Sequence, residues 1–213
     1  MNRKRWIKAV PYISVVVGPL LGLYVITKNE GHKKPYFEAQ RQKFEQHVRG
    51  YEQAYGQFHT KPKLVFMWLP RYHLGSAGCQ GIVIVKDNPL SAKPIEFKNY
   101  SIDDIVSHEL GHQVTFDILK EANSGFMKCL PNGTIEYDKS MKNQMHTILE
   151  GSAEYITIRR GSKAATAYSD YLKFVSPVLY KLGIREGFKL MLVNPPTDDE
   201  LKNPSAYYTR IRI

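Results

Sequence analysis

Apolar residues recur at helical spacing over residues 36–58. The apolar and aromatic positions there lie three, four or seven residues apart, which is the repeat of one helix face; they are Phe37, Phe44, Val48, Tyr51 and Tyr55. Lys61 and Pro62 follow, and proline does not continue a helix. The pattern therefore predicts a helix that ends before residue 61.

Two short apolar runs come next, KLVFMWLP at 63–70 and GIVIVKD at 81–87. Their length and β-branched or aromatic content predict strands. We expect the two to pair in the antiparallel sense across a loop that contains Gly75 and Gly78. From residue 101 onward the pattern is mostly helical. This order of elements predicts an α+β domain, mostly helical with a small antiparallel sheet.

The first 28 residues differ from the rest of the chain. Nineteen uncharged residues, Ala9 to Thr27, follow a basic cluster of Arg3, Lys4, Arg5 and Lys8. As a helix they would span about 28 Å, close to the hydrocarbon thickness of a bilayer. We predict an N-terminal transmembrane helix in residues 1–28 and a separate domain over 29–213. A cleaved signal peptide is the alternative, although Val25, Ile26 and Thr27 do not form a small-residue cleavage site.

The charges around this segment predict its orientation. Positive charge before a span keeps the N-terminus in the cytoplasm and places the following domain outside, although Lys28, Lys33 and Lys34 on the far side act against this. The domain would then be membrane-anchored, or secreted if the segment is cleaved. Export would allow a disulfide between the two cysteines, Cys79 and Cys129. Their spacing leaves a bridge and two free thiols equally open.

The basic composition does not indicate nucleic-acid binding. The chain has a formal net charge of +10, from 30 basic and 20 acidic residues. Five of the basic residues lie in the first 28 positions, where there is no acidic residue. The others are spread along the chain without a basic stripe interleaved with aromatic residues. Nucleic acid is therefore not a predicted partner.

The segment 101–125, SIDDIVSHELGHQVTFDILKEANSG, carries helix start and stop signals. Ser101 and Asp104 have the spacing of a capping box, in which each side chain bonds to the backbone of the other. The sequence Asn-Ser-Gly that ends at Gly125 supplies a stop. Both signals frame one predicted helix of about six turns.

Within this helix, residues 108–112 read HELGH, an HExxH motif. His108 and His112 are four residues apart, so both imidazoles leave one face and can bind the same ion. Glu109 is rotated by about 100° from His108, where its carboxylate can take a proton from a metal-activated water. The motif predicts one Zn²⁺ ion with Glu109 as the catalytic base. The structural alternative is an amphipathic helix whose histidines are satisfied by core or solvent.

A catalytic zinc site needs a third protein ligand, and the helix predicted over 141–161 offers one. Its sequence LEGSAEY places Glu150 and Glu154 on one face, four residues apart. Gly151 and Ala153 have little bulk, so this helix can approach the first closely. Glu150 would be the ligand, and Glu154 would accept a hydrogen bond from the outer nitrogen of a liganding histidine. A solvated acidic face is the alternative.

The pair HELGH and LEGSAEY resembles the gluzincin class of zinc metallopeptidases, which have an active-site helix followed by a glutamate helix. The resemblance covers about residues 101–160 and implies a zincin-like fold. It implies three metal ligands, a general base and a carboxylate behind a ligand, which are His108, His112 and Glu150, then Glu109, then Glu154. The chain departs from many members in the 37 residues between His112 and Glu150, which must form a loop or small insertion.

The resemblance also suggests substrate contacts. In the gluzincin pattern an edge strand beside the active-site helix binds extended peptide, and GIVIVKD, entered through Gly78, is the candidate, with an ordinary core strand as the alternative. The tail 194–208, NPPTDDELKNPSAYY, resembles a stretch near the C-terminus of some small metallopeptidases. Tyr207 or Tyr208 could donate to an oxyanion there, or be buried and structural. His146 could border the site or lie on the surface.

These features predict a zinc metallopeptidase that hydrolyses peptide bonds in peptide or protein substrates. Two alternatives remain open. One is a membrane-tethered scaffold protein that binds zinc without hydrolytic activity. The other is a deformylase-like hydrolase with Cys79 as its third ligand, although the surrounding GCQG does not fit that pattern well and leaves Glu150 without a role.

Overall fold

The computed structural model describes residues 31–69, 73–88, 90–122, 125–131, 133–163 and 166–213. The expected membrane segment, residues 1–28, lies outside the described residues. Within them, no helix combines the length and the apolar character that crossing a membrane requires. The described chain is mostly helical with little sheet, which confirms the α+β prediction.

The described elements follow the predicted order. They are α1 (31–55), β1 (Lys63–Met67), β2 (Gly75–Gly78), β3 (Ile82–Lys86), α2 (Ile102–Ala122), β4 (Met127–Cys129), β5 (Ile135–Tyr137), α3 (Lys142–Arg159), α4 (Ser169–Leu182), α5 (Ile184–Val193), α6 (Asp198–Lys202) and α7 (Pro204–Arg210). The helices predicted over 36–58, 101–125 and 141–161 are confirmed as α1, α2 and α3. The two predicted strands are confirmed as β1 and β3.

The pairing predicted for β1 and β3 is wrong. The two strands are parallel, with Lys63 opposite Ile82 and Met67 opposite Lys86. The antiparallel partner of β3 is β2, which pairs along its other side and gives the order β1-β3-β2. Because β2 reads GSAG, it has none of the β-branched or aromatic residues that mark a strand in sequence. The chain therefore passes from β1 to the far edge of the sheet, forms β2 there, and returns as β3 between the two. The segment predicted as a loop contains the strand β2.

Helix α2 is the centre of the domain. Every residue from Ile105 to Leu119 is buried except His108, which is partly exposed. The helix packs against β2 and β3 on one side and against α3 and α5 on the others. Its start is fixed by the predicted capping box: the Asp104 backbone N–H donates to Ser101 Oγ at 3.0 Å, and the Ser101 N–H donates to Asp104 Oδ2 at 3.0 Å. A helix enclosed on all sides can hold catalytic groups in a fixed register.

Small residues set the distance between α2 and α3, but one of them differs from the prediction. A Cβ atom on Gly111 would lie 2.6 Å from the carbonyl oxygen of Ala153 and 3.0 Å from its Cα. The HELGH and LEGSAEY backbones are therefore in direct contact. Gly151, predicted to face α2, faces α4 instead, because its Cβ would lie 2.6 Å from the carbonyl oxygen of Tyr171.

Replacing Gly111 by Ala is expected to lower the free energy of unfolding by about 1–3 kcal/mol, the usual cost of overpacking a core. The added methyl meets backbone atoms of α3, which cannot rotate away. Urea titration measures the loss. Gly50→Ala in α1 is the matched control, since that Cβ would meet only the guanidinium end of Arg160, which can move. An equal loss in both variants would contradict the proposed close contact.

The long interval between the two motifs contains a hairpin. Strands β4 and β5 pair in the antiparallel sense, and Cys129 at the end of β4 forms a disulfide with Cys79. Of the two states that the spacing left open, the structure therefore has the bridge. It ties the hairpin to the turn after β2, where the Cys79 N–H also donates to the carbonyl oxygen of Gly133 at 2.9 Å.

Candidate metal centre

Three side chains from α2 and α3 converge where the two helices cross. The Nε2 atoms of His108 and His112 lie 3.1 Å apart. Glu150 Oε2 lies 3.3 Å from His108 Nε2 and 3.4 Å from His112 Nε2. The three residues form a group that could bind a metal ion. The i, i+4 spacing of the histidines and the close crossing at Gly111 bring these atoms together.

The spacing of these ligand atoms fits zinc. Tetrahedral ligands at about 2.0–2.1 Å from Zn²⁺ lie about 3.3 Å from one another, and the observed separations are 3.1, 3.3 and 3.4 Å. Two imidazoles and one carboxylate are also ligand types that zinc takes in catalytic sites. In addition, the site contains more acids than histidines: Glu109, Glu150 and Glu154 are buried or part-buried beside His108 and His112. A divalent cation would offset this excess of negative charge.

Glu154 lies behind His108. The Nδ1–H of His108 donates to Glu154 Oε2 at 2.9 Å, and Glu154 is only 1% exposed. This bond directs Nε2 of His108 toward Glu150 and His112, as a liganding tautomer requires. Burial lowers the pKa of His108, but hydrogen bonds to Glu150 and Glu154 outweigh burial and raise this pKa to about 10. A cation that binds here therefore displaces a proton, so its affinity falls as the pH falls.

His112 is oriented by packing. Its ring stacks on Phe116 with a 5.7 Å centroid distance and meets His108 edge-on at 4.7 Å. Among the described atoms, its Nδ1 is buried without a hydrogen-bond partner.

The pKa of Glu150 is set by its neighbours. Burial would raise this pKa, but the electrostatic influence of His112 and hydrogen bonds from both histidines hold the pKa below its ordinary value. Glu150 is therefore anionic at neutral pH, as a carboxylate that binds a cation must be.

Glu109 lies beside this group, buried against the sheet. A Cβ on Gly75 of β2 would lie 2.5 Å from Glu109 Oε1 and 2.7 Å from Ile105 Cγ2, so only glycine lets the strand approach the carboxylate this closely. Burial raises the pKa of Glu109, against the lowering influence of His112 and His108. A carboxylate with a raised pKa is a stronger base, which suits proton transfer near neutral pH.

Tyr168, which is not among the residues predicted from the sequence, lines the site. Its ring stacks on His108 at 5.2 Å with an interplanar angle of 9°. Burial, together with the charges of Glu150 and Glu109, raises the pKa of Tyr168, so its hydroxyl keeps its proton. No motif surrounds this tyrosine, which precedes α4. The only available signal was an aromatic residue shortly after the glutamate helix.

A cleft runs along β2, past His108, His112 and Glu150. It consists of two cavities of about 250 and 260 Å³ that share His73, Gly75, His108, Glu109 and Tyr168. The first also has an apolar wall made by Phe116, Ile135 and Leu149. The second extends toward Tyr100, Ile105 and Lys163. A chain lying in the cleft would thus have room on both sides of Glu109.

The strand at this cleft is not the predicted one. GIVIVKD forms β3, the central strand, whereas β2 is the edge strand beside α2 and supplies Gly75, Ser76 and Ala77 to the cleft. The prediction failed because the small residues of β2 gave no strand signal.

The two predicted substrate contacts lie outside the described lining of the cleft. The carbonyl oxygen of Gly78 accepts a hydrogen bond from Gln113 Nε2 at 3.0 Å. Tyr207 is fully buried against Phe174, and its hydroxyl donates to the carbonyl oxygen of Asn194 at 2.9 Å.

Three further predicted residues are also placed. The Tyr208 hydroxyl donates to the carbonyl oxygen of Phe174 at 2.7 Å. His146 does border the cleft, with its Nε2 3.7 Å from Glu150 Oε1. Cys79 is bonded to Cys129, so its sulfur is not available as the thiolate that a zinc ligand requires.

Comparisons of this chain with protein-family models, curated proteins and solved structures found no match. The functional assignment therefore depends on the chemistry of the site itself.

Proposed function

We propose that this chain is a gluzincin-type zinc metallopeptidase that hydrolyses peptide bonds in peptide or protein substrates. One observation carries the proposal. The ligand atoms of His108, His112 and Glu150 lie at zinc-ligand separations, and the buried carboxylate of Glu109 stands beside them in an open cleft. A structural zinc site would have no need of that carboxylate, which argues against a scaffold protein.

Each residue of the site would have a separate role in hydrolysis. Zinc would act as a Lewis acid, lowering the pKa of water from about 15.7 toward about 7 and polarising the peptide carbonyl. Glu109 would accept a proton from the attacking water and pass it to the leaving amine. Glu154 would hold His108 in its liganding tautomer through Nδ1. The uncharged Tyr168 hydroxyl would donate to the carbonyl oxygen as negative charge develops there.

The cleft favours an extended polypeptide as substrate. Among the described strands, β2 pairs only with β3, so backbone groups on its other side can pair with a bound peptide. Gly75 and Ala77 leave room for that approach.

The proposed location is outside the cytoplasm, on an N-terminal membrane anchor or after its cleavage. The disulfide between Cys79 and Cys129 supports this location, because such bonds persist in oxidising compartments.

The proposal is tested by metal analysis of the purified protein, combined with cleavage of a mixed peptide library. We expect one zinc ion per chain and cleavage that a chelator stops and zinc restores. If the protein bound zinc at the centre and cleaved no peptide, the scaffold alternative would be correct.

Replacing Tyr168 by Phe is expected to lower kcat by about 10²–10³-fold, the usual effect of losing one oxyanion donor. The ring remains to stack on His108, so zinc content and KM should change little. Steady-state kinetics with metal analysis measure this. Tyr207→Phe is the matched control, since it also loses a tyrosine hydroxyl but outside the cleft, and its kcat should stay normal. Equal kcat in Tyr168→Phe and the wild type would remove Tyr168 from the mechanism.

A further inference from the structure

Three exposed apolar residues lie in segments that meet at one end of the sheet. Met67, Trp68 and Leu90 are 47%, 63% and 64% exposed, and we name them the Trp68 surface. Met67 ends β1, and its carbonyl oxygen accepts the N–H of Asp87, directly after β3, at 2.8 Å. Leu90 belongs to the next turn, where its N–H donates to Asn88 Oδ1 at 3.0 Å. The Trp68 surface therefore lies at the carboxyl ends of the parallel strands.

The first described turn of α1 is fastened to this same end. Lys33 is 1% exposed and forms a buried ion pair with Asp87. Its ammonium group also donates to the carbonyl oxygen of Asn88 at 3.0 Å. One turn further along α1, Phe37 stacks on Phe66 of β1 at 4.4 Å. These contacts fix the start of the described chain beside the Trp68 surface.

The apolar run in the sequence ends only four residues before this point. Thr27 and Gly31 are separated by four peptide links, which reach at most about 14 Å when fully extended. If Ala9 to Thr27 cross a bilayer, Gly31 lies in or just above the headgroup region, which is about 5–8 Å thick on each side. Tryptophan is enriched in that region, where its ring is partly apolar and partly hydrated.

We propose that the Trp68 surface rests in the headgroup region of a bilayer, beside the membrane span proposed for residues 9–27. The partner is a lipid surface, and the contact buries side chains that are otherwise exposed to water. Asp87, an acid at this end, forms an ion pair with Lys33, so docking does not bring an unpaired charge from Asp87 toward the lipid. The inference rests on the proposed membrane span but not on peptidase activity.

Docking would orient the candidate site. Gly75, whose backbone touches Glu109, pairs with Val85 near the carboxyl end of β3. The Lys86 N–H donates to the carbonyl oxygen of Leu74 at the same end. The cleft therefore begins at the docked end of the sheet. Given the proposed hydrolysis, the accessible substrates would be polypeptide segments close to the bilayer surface.

The test uses the full chain in lipid nanodiscs of phosphatidylcholine and phosphatidylglycerol. Trp6 and Trp68 are the two tryptophans, so Trp6→Phe leaves Trp68 as the only indole. Phospholipid brominated near the headgroup is expected to quench its fluorescence about twofold, as for an indole in the interface. Iodide in the water should quench it less than it quenches an exposed indole.

Two variants provide the controls. Trp68→Phe leaves Trp6, whose quenching by the brominated lipid reports insertion of the N-terminal segment. Tyr180→Trp, added to a chain lacking both native tryptophans, reports an 80% exposed position on α4, which packs against α3 and α5. We expect iodide, and not the lipid, to quench this indole.

Each alternative result overturns the proposal in a recognisable way. Quenching of Trp6 but not Trp68 by the lipid would retain the span and reject docking. Protection of Trp68 from both quenchers would show that protein, such as a second copy, covers the surface. Absence of lipid quenching at both tryptophans would reject the span and the docking together. Lipid quenching at position 180 equal to that at Trp68 would reject an oriented contact. None of these readouts depends on zinc or hydrolysis, so failure here is distinct from failure of the proposed function.

Discussion

Glu109→Gln is expected to abolish peptide hydrolysis while the protein retains one zinc ion per chain. The amide keeps the size of the carboxylate and fits the same space beside Gly75, but it cannot accept a proton at neutral pH. Loss of a general base typically costs about 10²–10⁴-fold in rate. Zinc should remain because its ligands in the proposal are His108, His112 and Glu150.

Two measurements on the same preparations test this expectation. Mass spectrometry of a peptide library gives the cleavage rate, and elemental analysis gives the zinc content. Asp117→Asn is the matched control, because Asp117 is another buried acid of α2 and lies two turns beyond Glu109, outside the described lining of the cleft. It should retain the wild-type rate. Normal cleavage by the Glu109 variant would refute its role as base.

The parts of the site that the sequence predicted are those encoded by local spacing. His108 and His112 share a face because a helix repeats every 3.6 residues, and Glu150 and Glu154 share one for the same reason. Capping at Ser101 fixed the helix start. In each case the information lies within four residues, so it can be read without the tertiary fold.

The parts that could not be predicted depend on contacts between distant segments. Strand β2 is a strand because β3 lies beside it, not because GSAG favours extended structure. Gly151 faces α4 rather than α2, and nothing in LEGSAEY distinguishes the two directions. Tyr168 reaches His108 because the chain turns back after α3. The resemblance in the tail left Tyr207 open as an oxyanion donor or as a buried structural residue, and the fold buries it in the core.

The start of helix α6 shows one contact that local sequence encodes and one that depends on a distant segment. Thr197 forms a capping box with Glu200, and a Thr followed three residues later by Glu is a pattern visible in the sequence. Arg210 then binds the same carboxylate, with its Nε 2.7 Å from Glu200 Oε1. That ion pair joins α6 to α7 and helps to hold the segment that contains Tyr207. The local cap was readable from sequence, whereas its use as a tertiary contact was not.

Glu150→Ala and Glu154→Ala are expected to differ sharply in zinc binding. The first removes a ligand atom and leaves two histidines, so zinc should be lost on dialysis. The second removes the acceptor for His108 Nδ1 but no ligand. Changes behind a ligand typically weaken affinity by about 10–100-fold, so this variant should keep zinc in excess metal and lose it to a weaker chelator than the wild type requires.

The comparison separates a ligand from a positioning residue through a third variant, Glu154→Gln. Its amide oxygen can still accept the His108 Nδ1–H, so affinity should return most of the way to the wild-type value. No such rescue is expected for Glu150→Gln, because a neutral amide is a poor zinc ligand. Zinc dissociation constants from chelator competition, with urea titrations to check folding, measure all four variants. Equal losses at Glu150 and Glu154 would contradict the assignment, since only one of these carboxylates faces both imidazole Nε2 atoms.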